Sequence, residues 1–219
     1  DGSLRLFQKP LGWGAGPEGD GGGETTAAGA KVGPSFCWQV TCGLRHMHTR
    51  GFIHRDIKLE NMFFMRPLDP TNWQKAVIKI GDFGSVIRLN GPIVKSRGGS
   101  PSYLPPEVWR AQGWDPKGDC WALGVVSYAI CVGSMPFPQP AHVGTNTTMT
   151  LVTKGEANYT RSSWVGLPQE AKHYIQKLLK VKMSERFSIK EALQLKKNSR
   201  NFRLNREMRE KIYVIRLHF

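Results

Sequence analysis

His54-Arg55-Asp56-Ile57-Lys58-Leu59-Glu60-Asn61 is the most informative stretch of this 219-residue chain. It sets an acid, an ammonium two residues on and an amide five residues on along one polar, charged loop, 51–61. Such groups can converge on a phosphate. The carboxylate accepts a hydroxyl proton, the ammonium neutralises a transferring phosphoryl group, and the amide oxygen binds a divalent cation. Phosphoryl transfer needs positioning and charge neutralisation more than covalent help. The triplet His-Arg-Asp alone arises by chance in many chains; the full octet is far more specific.

The flanks of the octet are structured. Upstream, Phe36, Val40, Leu44 and Met47 recur at helical spacing and predict a helix of about three to four turns. Downstream, two short apolar runs, 62–65 and 76–80, are separated by a turn-rich stretch with Pro67, Asp69, Pro70 and Asn72. That pattern predicts a β-hairpin with a long turn. Residues 81–107 are rich in Gly, Ser and Pro and read as an extended loop. The nearly apolar run 121–132 is 12 residues, too short to cross a bilayer and suited to a buried helix. Over 168–181, Ala171, Tyr174, Ile175, Leu178 and Leu179 form the apolar stripe of an amphipathic helix, with Pro168 in its first turn. A further short helix is expected over 188–195.

The two ends differ from this middle. Residues 1–35 hold ten of the 24 glycines, with Pro10, Pro17 and Pro34, and are expected to be disordered. The tail, 196–219, carries eight Lys/Arg against Glu207 and Glu210, net +6, and reads as a solvated helical or flexible arm. The whole chain has 31 Lys+Arg against 17 Asp+Glu, +14, which favours acidic partners without fixing a fold. With 40% apolar residues it can bury a real core. Four cysteines (Cys37, Cys42, Cys120 and Cys131) include no C-x-x-C pair, so neither a zinc site nor a disulfide scaffold is indicated. They are expected to be reduced thiols of a cytoplasmic or nuclear protein; no signal peptide is present, but the chain begins at Asp1 rather than Met, so that absence carries no weight.

The octet resembles the catalytic loop of the eukaryotic protein kinase family, and the rest of that family's signature follows in order. Asp82-Phe83-Gly84 is similar to the metal-binding DFG. The stretch Gly99 to Glu107 is similar to the segment ending in APE, with Pro105 replacing the usual Ala. Asp119-Cys120-Trp121-Ala122-Leu123-Gly124 is similar to the opening of the buried central helix, and Arg186 to the arginine that pairs with the APE glutamate, here Glu107. The resemblance covers 36–195. It implies a mainly α (α+β) fold, a kinase-like helical C-lobe with a short β-hairpin, preceded by the Gly-rich segment.

The resemblance also implies roles. Asp56 would be the catalytic base, Lys58 would contact the γ-phosphate of ATP, and Asn61 and Asp82 would hold Mg2+. His54 and Phe83 would pack the site. Glu107, Asp119 and Arg186 would be architectural. Lys58 with Ser100 points to protein substrates that accept on Ser or Thr. Arg55 before the base is the pattern of members activated by phosphorylation, with Ser96 similar in position to the activating site; a phosphate there adds roughly −2 charge. Glu60 is open to two readings, attraction of a basic substrate residue or a solvent-facing loop position.

Two features depart from the family. Asn61 and Asp82 are 21 residues apart, with 66–75 reading as an insertion at the hairpin turn, which costs little entropy. Upstream, a small lobe of five strands and a helix needs at least roughly 60 residues. Only 35 precede the first recognisable helix. Gly14-Ala15-Gly16-Pro17-Glu18-Gly19 satisfies G-x-G-x-x-G but contains a proline, follows no strand and leads to no V-A-x-K strand, so it is rejected as a phosphate loop. The expectation is therefore a serine/threonine kinase fragment, inactive alone because the small-lobe half of its ATP site is missing. The alternative is an inert kinase-like scaffold. A chain divided into a Gly-rich segment 1–35, a kinase C-lobe 36–195 and a basic tail 196–219 is expected to meet a protein substrate and, through the tail, an acidic partner. Neither a membrane nor nucleic acid is expected, since no nucleic-acid motif accompanies Phe202 and Tyr213.

Overall fold

The computed structural model describes residues 27–66, 72, 75–89, 95 and 98–197. Helix α1 (Ala27–Thr49) contains the expected stripe, with Phe36, Val40, Leu44 and Met47 all buried. It opens at Ala27, inside the Gly-rich segment and eight residues before the expected boundary at 35. Alanines 27, 28 and 30 are strong helix formers amid the glycines. Gly33 then lets the helix come close to its neighbour: a Cβ there would lie 3.0 Å from the Cys131 sulfur.

Strand β1 (Phe52–Ile53) leads into the octet, and β2 (Met62–Phe64) leaves it. β2 pairs antiparallel with β3 (Ile78–Ile80), in the register Met62 opposite Ile80 and Phe64 opposite Ile78. This is the expected hairpin. Its ladder runs on at both ends, with Met65 N–H donating to Val77 O and Gly81 N–H donating to Asn61 O, both at 2.9 Å. Asn61 and Gly81 therefore face each other at the open end, and the long turn lies at the other. Most of that turn (67–71, 73 and 74) lies outside the described residues. β4 (Ile87–Arg88) returns to pair with β1.

The stretch expected to be one loop, 81–107, contains short elements: β4, a 3-10 turn Pro101–Tyr103 and the start of α2 (Pro106–Trp109). Helix α3 (Pro116–Val132) is the centre of the lobe. Asp115 caps it by accepting from Lys117 N–H at 2.8 Å, Pro116 occupies its first turn, and Gly133 ends it at φ +79°. Nearly every α3 residue is buried, because α1 and α7 cover it. Gly124 makes the second contact possible; a Cβ there would meet Leu178 Cβ at 2.9 Å.

Four shorter helices, α4 (Pro140–Val143), α5 (Thr145–Lys154), α6 (Ser162–Val165) and α7 (Gln169–Leu178), follow. The α7 stripe is buried as its spacing predicts, and Pro168 sits just before the helix, its carbonyl accepting from Ala171 and Lys172. Helix α8 (Ile189–Lys197) starts at a capping box in which Ser188 N–H and Oγ both donate to Glu191 Oε2, at 2.8 and 2.7 Å. The four cysteines are buried and free. No helix among the described residues is long and apolar enough to cross a membrane. Ser96, residues 1–26 and the tail beyond 197 lie outside the described residues.

Candidate active site

The site is built on Asp119, whose carboxylate is fully buried at the start of α3. Its Oδ2 accepts from His54 N–H at 2.8 Å and meets His48 Nε2 at 2.9 Å; its Oδ1 accepts from Arg55 N–H at 2.9 Å. Arg55 needs this hold. Its φ of +68° lies in the left-handed region, where a side chain is strained. Arg55 Nε also donates to Ser85 O at 2.6 Å. Asp119 thus forces the sharp turn that presents Asp56.

His54 lies below the turn and ties two loops together. Its Nε2 meets Gly81 O at 3.1 Å, and its Nδ1 accepts from Asp56 N–H at 3.3 Å. These partners require a neutral ring with its hydrogen on Nε2. Burial agrees, pushing His54 below its ordinary pKa more strongly than nearby Asp119 raises it. The Phe83 ring packs against it at 5.6 Å.

Three donors converge on Asp56, which is 9% exposed. Lys58 Nζ donates to its Oδ2 at 2.7 Å, Asn61 Nδ2 to the same oxygen at 3.1 Å, and Ser100 Oγ to its Oδ1 at 2.9 Å. Lys58 also donates to Ser100 Oγ at 2.9 Å, closing a ring of contacts between the octet and the 3-10 turn. Burial alone would raise the Asp56 pKa. The bonds from Lys58, Ser100 and Asn61 outweigh it and hold the carboxyl below the ordinary carboxylate range. An ionised carboxylate offers about four acceptor positions. Three are taken, which leaves one on Oδ1 for an incoming hydroxyl.

Asn61 and Asp82 lie at one end of the hairpin. The two amide hydrogens of Asn61 go to Asp56, one to its backbone O at 2.9 Å and one to Oδ2, leaving the amide oxygen for a cation. Asp82 follows Gly81, the residue facing Asn61, and is exposed at φ +58°, its Oδ1 accepting from Gly84 N–H at 3.3 Å. No group of three or more His, Cys, Asp or Glu that could hold a metal occurs among the described residues. One carboxylate with one amide oxygen instead suits Mg2+, which keeps waters and phosphate oxygens in its shell.

Glu107 and Arg186 stand apart from this chemistry. Arg186, 1% exposed, meets Glu107 with both guanidinium arms and gives its remaining hydrogens to the carbonyls of Lys117, Lys180 and Val181. It lies over the Trp121 ring at 5.1 Å. Tyr103 OH donates to Glu60 Oε2 at 3.4 Å, so Glu60 is not merely solvated. The sequence reading named Asp119 but missed His48 beside it, as well as Ser85, whose carbonyl accepts from Arg55. Each acts through a backbone group or carboxylate distant in sequence, and nothing in its local pattern marks it.

A family model described as the protein kinase domain matches residues 24–196. The chain is 36% identical over 154 residues to serine/threonine-protein kinase PLK2 of Mus musculus, covering 69% of this chain and 20% of that protein. It is 30% identical over 158 residues to serine/threonine-protein kinase 33 of Bos taurus, covering 70% and 32%. It is also 30% identical over 157 residues to calcium/calmodulin-dependent protein kinase type I of Schizosaccharomyces pombe, covering 70% and 44%. The match therefore spans less than half the length of each of these relatives. With the octet, the hairpin and the buried α3 all in place, the chain belongs to the eukaryotic protein kinase family.

Proposed function

We propose that this chain forms the large-lobe half of a serine/threonine kinase site that transfers the γ-phosphate of ATP to protein hydroxyls. Asp56 orients the acceptor hydroxyl and takes its proton. Lys58, already beside Asp56 and Ser100, meets the γ-phosphate. Asn61 and Asp82 hold Mg2+. When bound, the metal neutralises charge on the phosphates. The observation that carries this reading is the ring of donors around Asp56, which keeps it ionised while sparing one acceptor position.

Arg55 supports a regulatory reading of Ser96. A Cβ at Gly98, two residues beyond Ser96 in sequence, would lie 3.6 Å from Arg55 Nη1. A phosphoserine at 96 would give this guanidinium a charged partner. Because the stretch 1–35 contains no V-A-x-K sequence, we propose that residues 1–219 alone transfer little phosphate.

The test is phosphate transfer from γ-labelled ATP to serine- and threonine-containing peptides, by the 219-residue chain and by the natural full-length product of its gene. The full-length protein should transfer. Its Asp56→Asn variant should fall about 100- to 10,000-fold, the range for losing a general base. Equal rates for variant and wild type would overturn the assignment.

A further inference from the structure

We propose that Gln39 is a positioning residue for Asp82, acting through the outer edge of β3; the inference rests on Asp82 being a metal ligand. Antiparallel pairing turns the backbone groups of alternate residues toward and away from the partner strand. Because Asn61–Gly81 and Met65–Val77 are bonded pairs, residues 77, 79 and 81 face β2. Ala76 and Ile78 face outward. There the Gln39 amide meets both, its Oε1 accepting from Ile78 N–H at 2.9 Å and its Nε2 donating to Ala76 O at 3.0 Å. One side chain of α1 thus replaces a neighbouring strand.

Gly43, one helical turn later on α1, continues the contact. A Cβ there would lie 2.9 Å from Ile80 Cδ1, so the helix runs close along β3 to its last residue. Two residues on is Asp82. Between them, Gly81 is held by Asn61 through its N–H and by His54 through its carbonyl. A three-residue strand paired on one side is marginal by itself. Without Gln39 the strand frays at its outer edge and Asp82 spreads over several positions. Asn61 stays in place, because its bonds to Asp56 do not involve β3. Metal binding should weaken, not vanish.

The experiment measures Mn2+ binding to the 219-residue chain by the electron paramagnetic resonance of free Mn2+, with melting curves for every variant. Gln39→Met removes both bonds. Gln39→Asn keeps the amide but shortens its reach, and is the milder second variant. Asp82→Asn tests the metal site itself. Thr41→Ala weakens α1 elsewhere, since Thr41 bonds Cys37 O and Tyr174 OH and does not bond β3. Folded Gln39 variants should bind Mn2+ about three- to tenfold more weakly, with Thr41→Ala unchanged. Wild-type affinity in a folded Gln39 variant, alongside a weakened Asp82→Asn, overturns this inference alone. So does an equal loss in Thr41→Ala, which would make the effect one of stability, and so does failure of both Gln39 variants to fold. If the wild type binds no Mn2+, or Asp82→Asn binds as well as wild type, the metal-site reading falls and the inference with it.

Discussion

Arg186 holds Glu107 in a two-pronged ion pair, 2.6 Å to Oε1 and 2.8 Å to Oε2, with both side chains shut off from solvent. The pair joins the segment after Ser100 to the loop before α8, across 79 residues of chain. Every guanidinium hydrogen has an acceptor, which is the condition under which a buried charge is tolerated.

Removing one partner leaves the other charge buried and unpaired. Arg186→Ala should therefore cost about 3–5 kcal/mol. Arg186→Lys should also destabilise, because an ammonium cannot reproduce the planar fork. Urea unfolding is the check: the midpoint should fall with the slope unchanged. A wild-type midpoint for Arg186→Ala would contradict this account.

Asp119→Asn should damage the turn it supports. Its two oxygens accept from the N–H groups of His54 and Arg55, and an amide can offer an acceptor to only one of them. Bonds to charged groups contribute roughly 1.5–3 kcal/mol each, and Arg55 would lose the hold on its left-handed backbone. The expected loss is about 3 kcal/mol, read by thermal unfolding. Hydrogen exchange should show the His54 and Arg55 amides opening first. Unchanged protection at both would show that the turn holds itself.

The side-chain cluster around Asp56 was more legible in sequence than the scaffold that carries it. Asp56, Lys58 and Asn61 sit within one turn of chain, so their convergence follows from local spacing. The α7 stripe was also legible, because Ala171, Tyr174, Ile175 and Leu178 repeat with the helical period. Helix α5 was not. Its sequence, TNTTMTLVTK, is rich in β-branched threonine and buries only Thr148 and Val152, so neither propensity nor periodicity announces it. β1 and β4 are two residues each, too short to alternate, and their adjoining ends are tied by the Arg55 Nε bond to Ser85 O. Gln39 gave no signal, since its partners lie 37 and 39 residues away.

Asp56 should titrate below an ordinary aspartate, and Lys58→Met should move it up. In the wild type its folded pKa is depressed, so its contribution to stability is complete above the unfolded value of about 3.9. That contribution is lost as pH falls through the folded value. Taking away Lys58 removes a hydrogen bond and a positive charge at 2.7 Å, while burial continues to push the other way. The loss should then begin at higher pH. Carbon-13 carboxyl titration of Asp56 in both proteins is the measurement, and an unmoved midpoint would show that Lys58 does not hold the charge.

Gly99→Ala should act on Asp56 through Ser100. Gly99 sits at φ +104°, and a Cβ there would lie 2.6 Å from the Arg55 carbonyl oxygen, a backbone atom that cannot step aside. The segment must shift, and Ser100 moves with it. Its hydroxyl then leaves both Asp56 Oδ1 and Lys58 Nζ, each now 2.9 Å away. Ser100→Ala removes the same bonds without the clash. If Gly99 matters through Ser100, each single variant of the full-length protein should lower phosphate transfer, and the double variant should lose little more than the worse single one. Independent routes would instead make the two losses add, within about 0.5 kcal/mol. Strict additivity in that cycle would mean that Gly99 shapes the loop for some purpose other than placing the serine hydroxyl on Asp56.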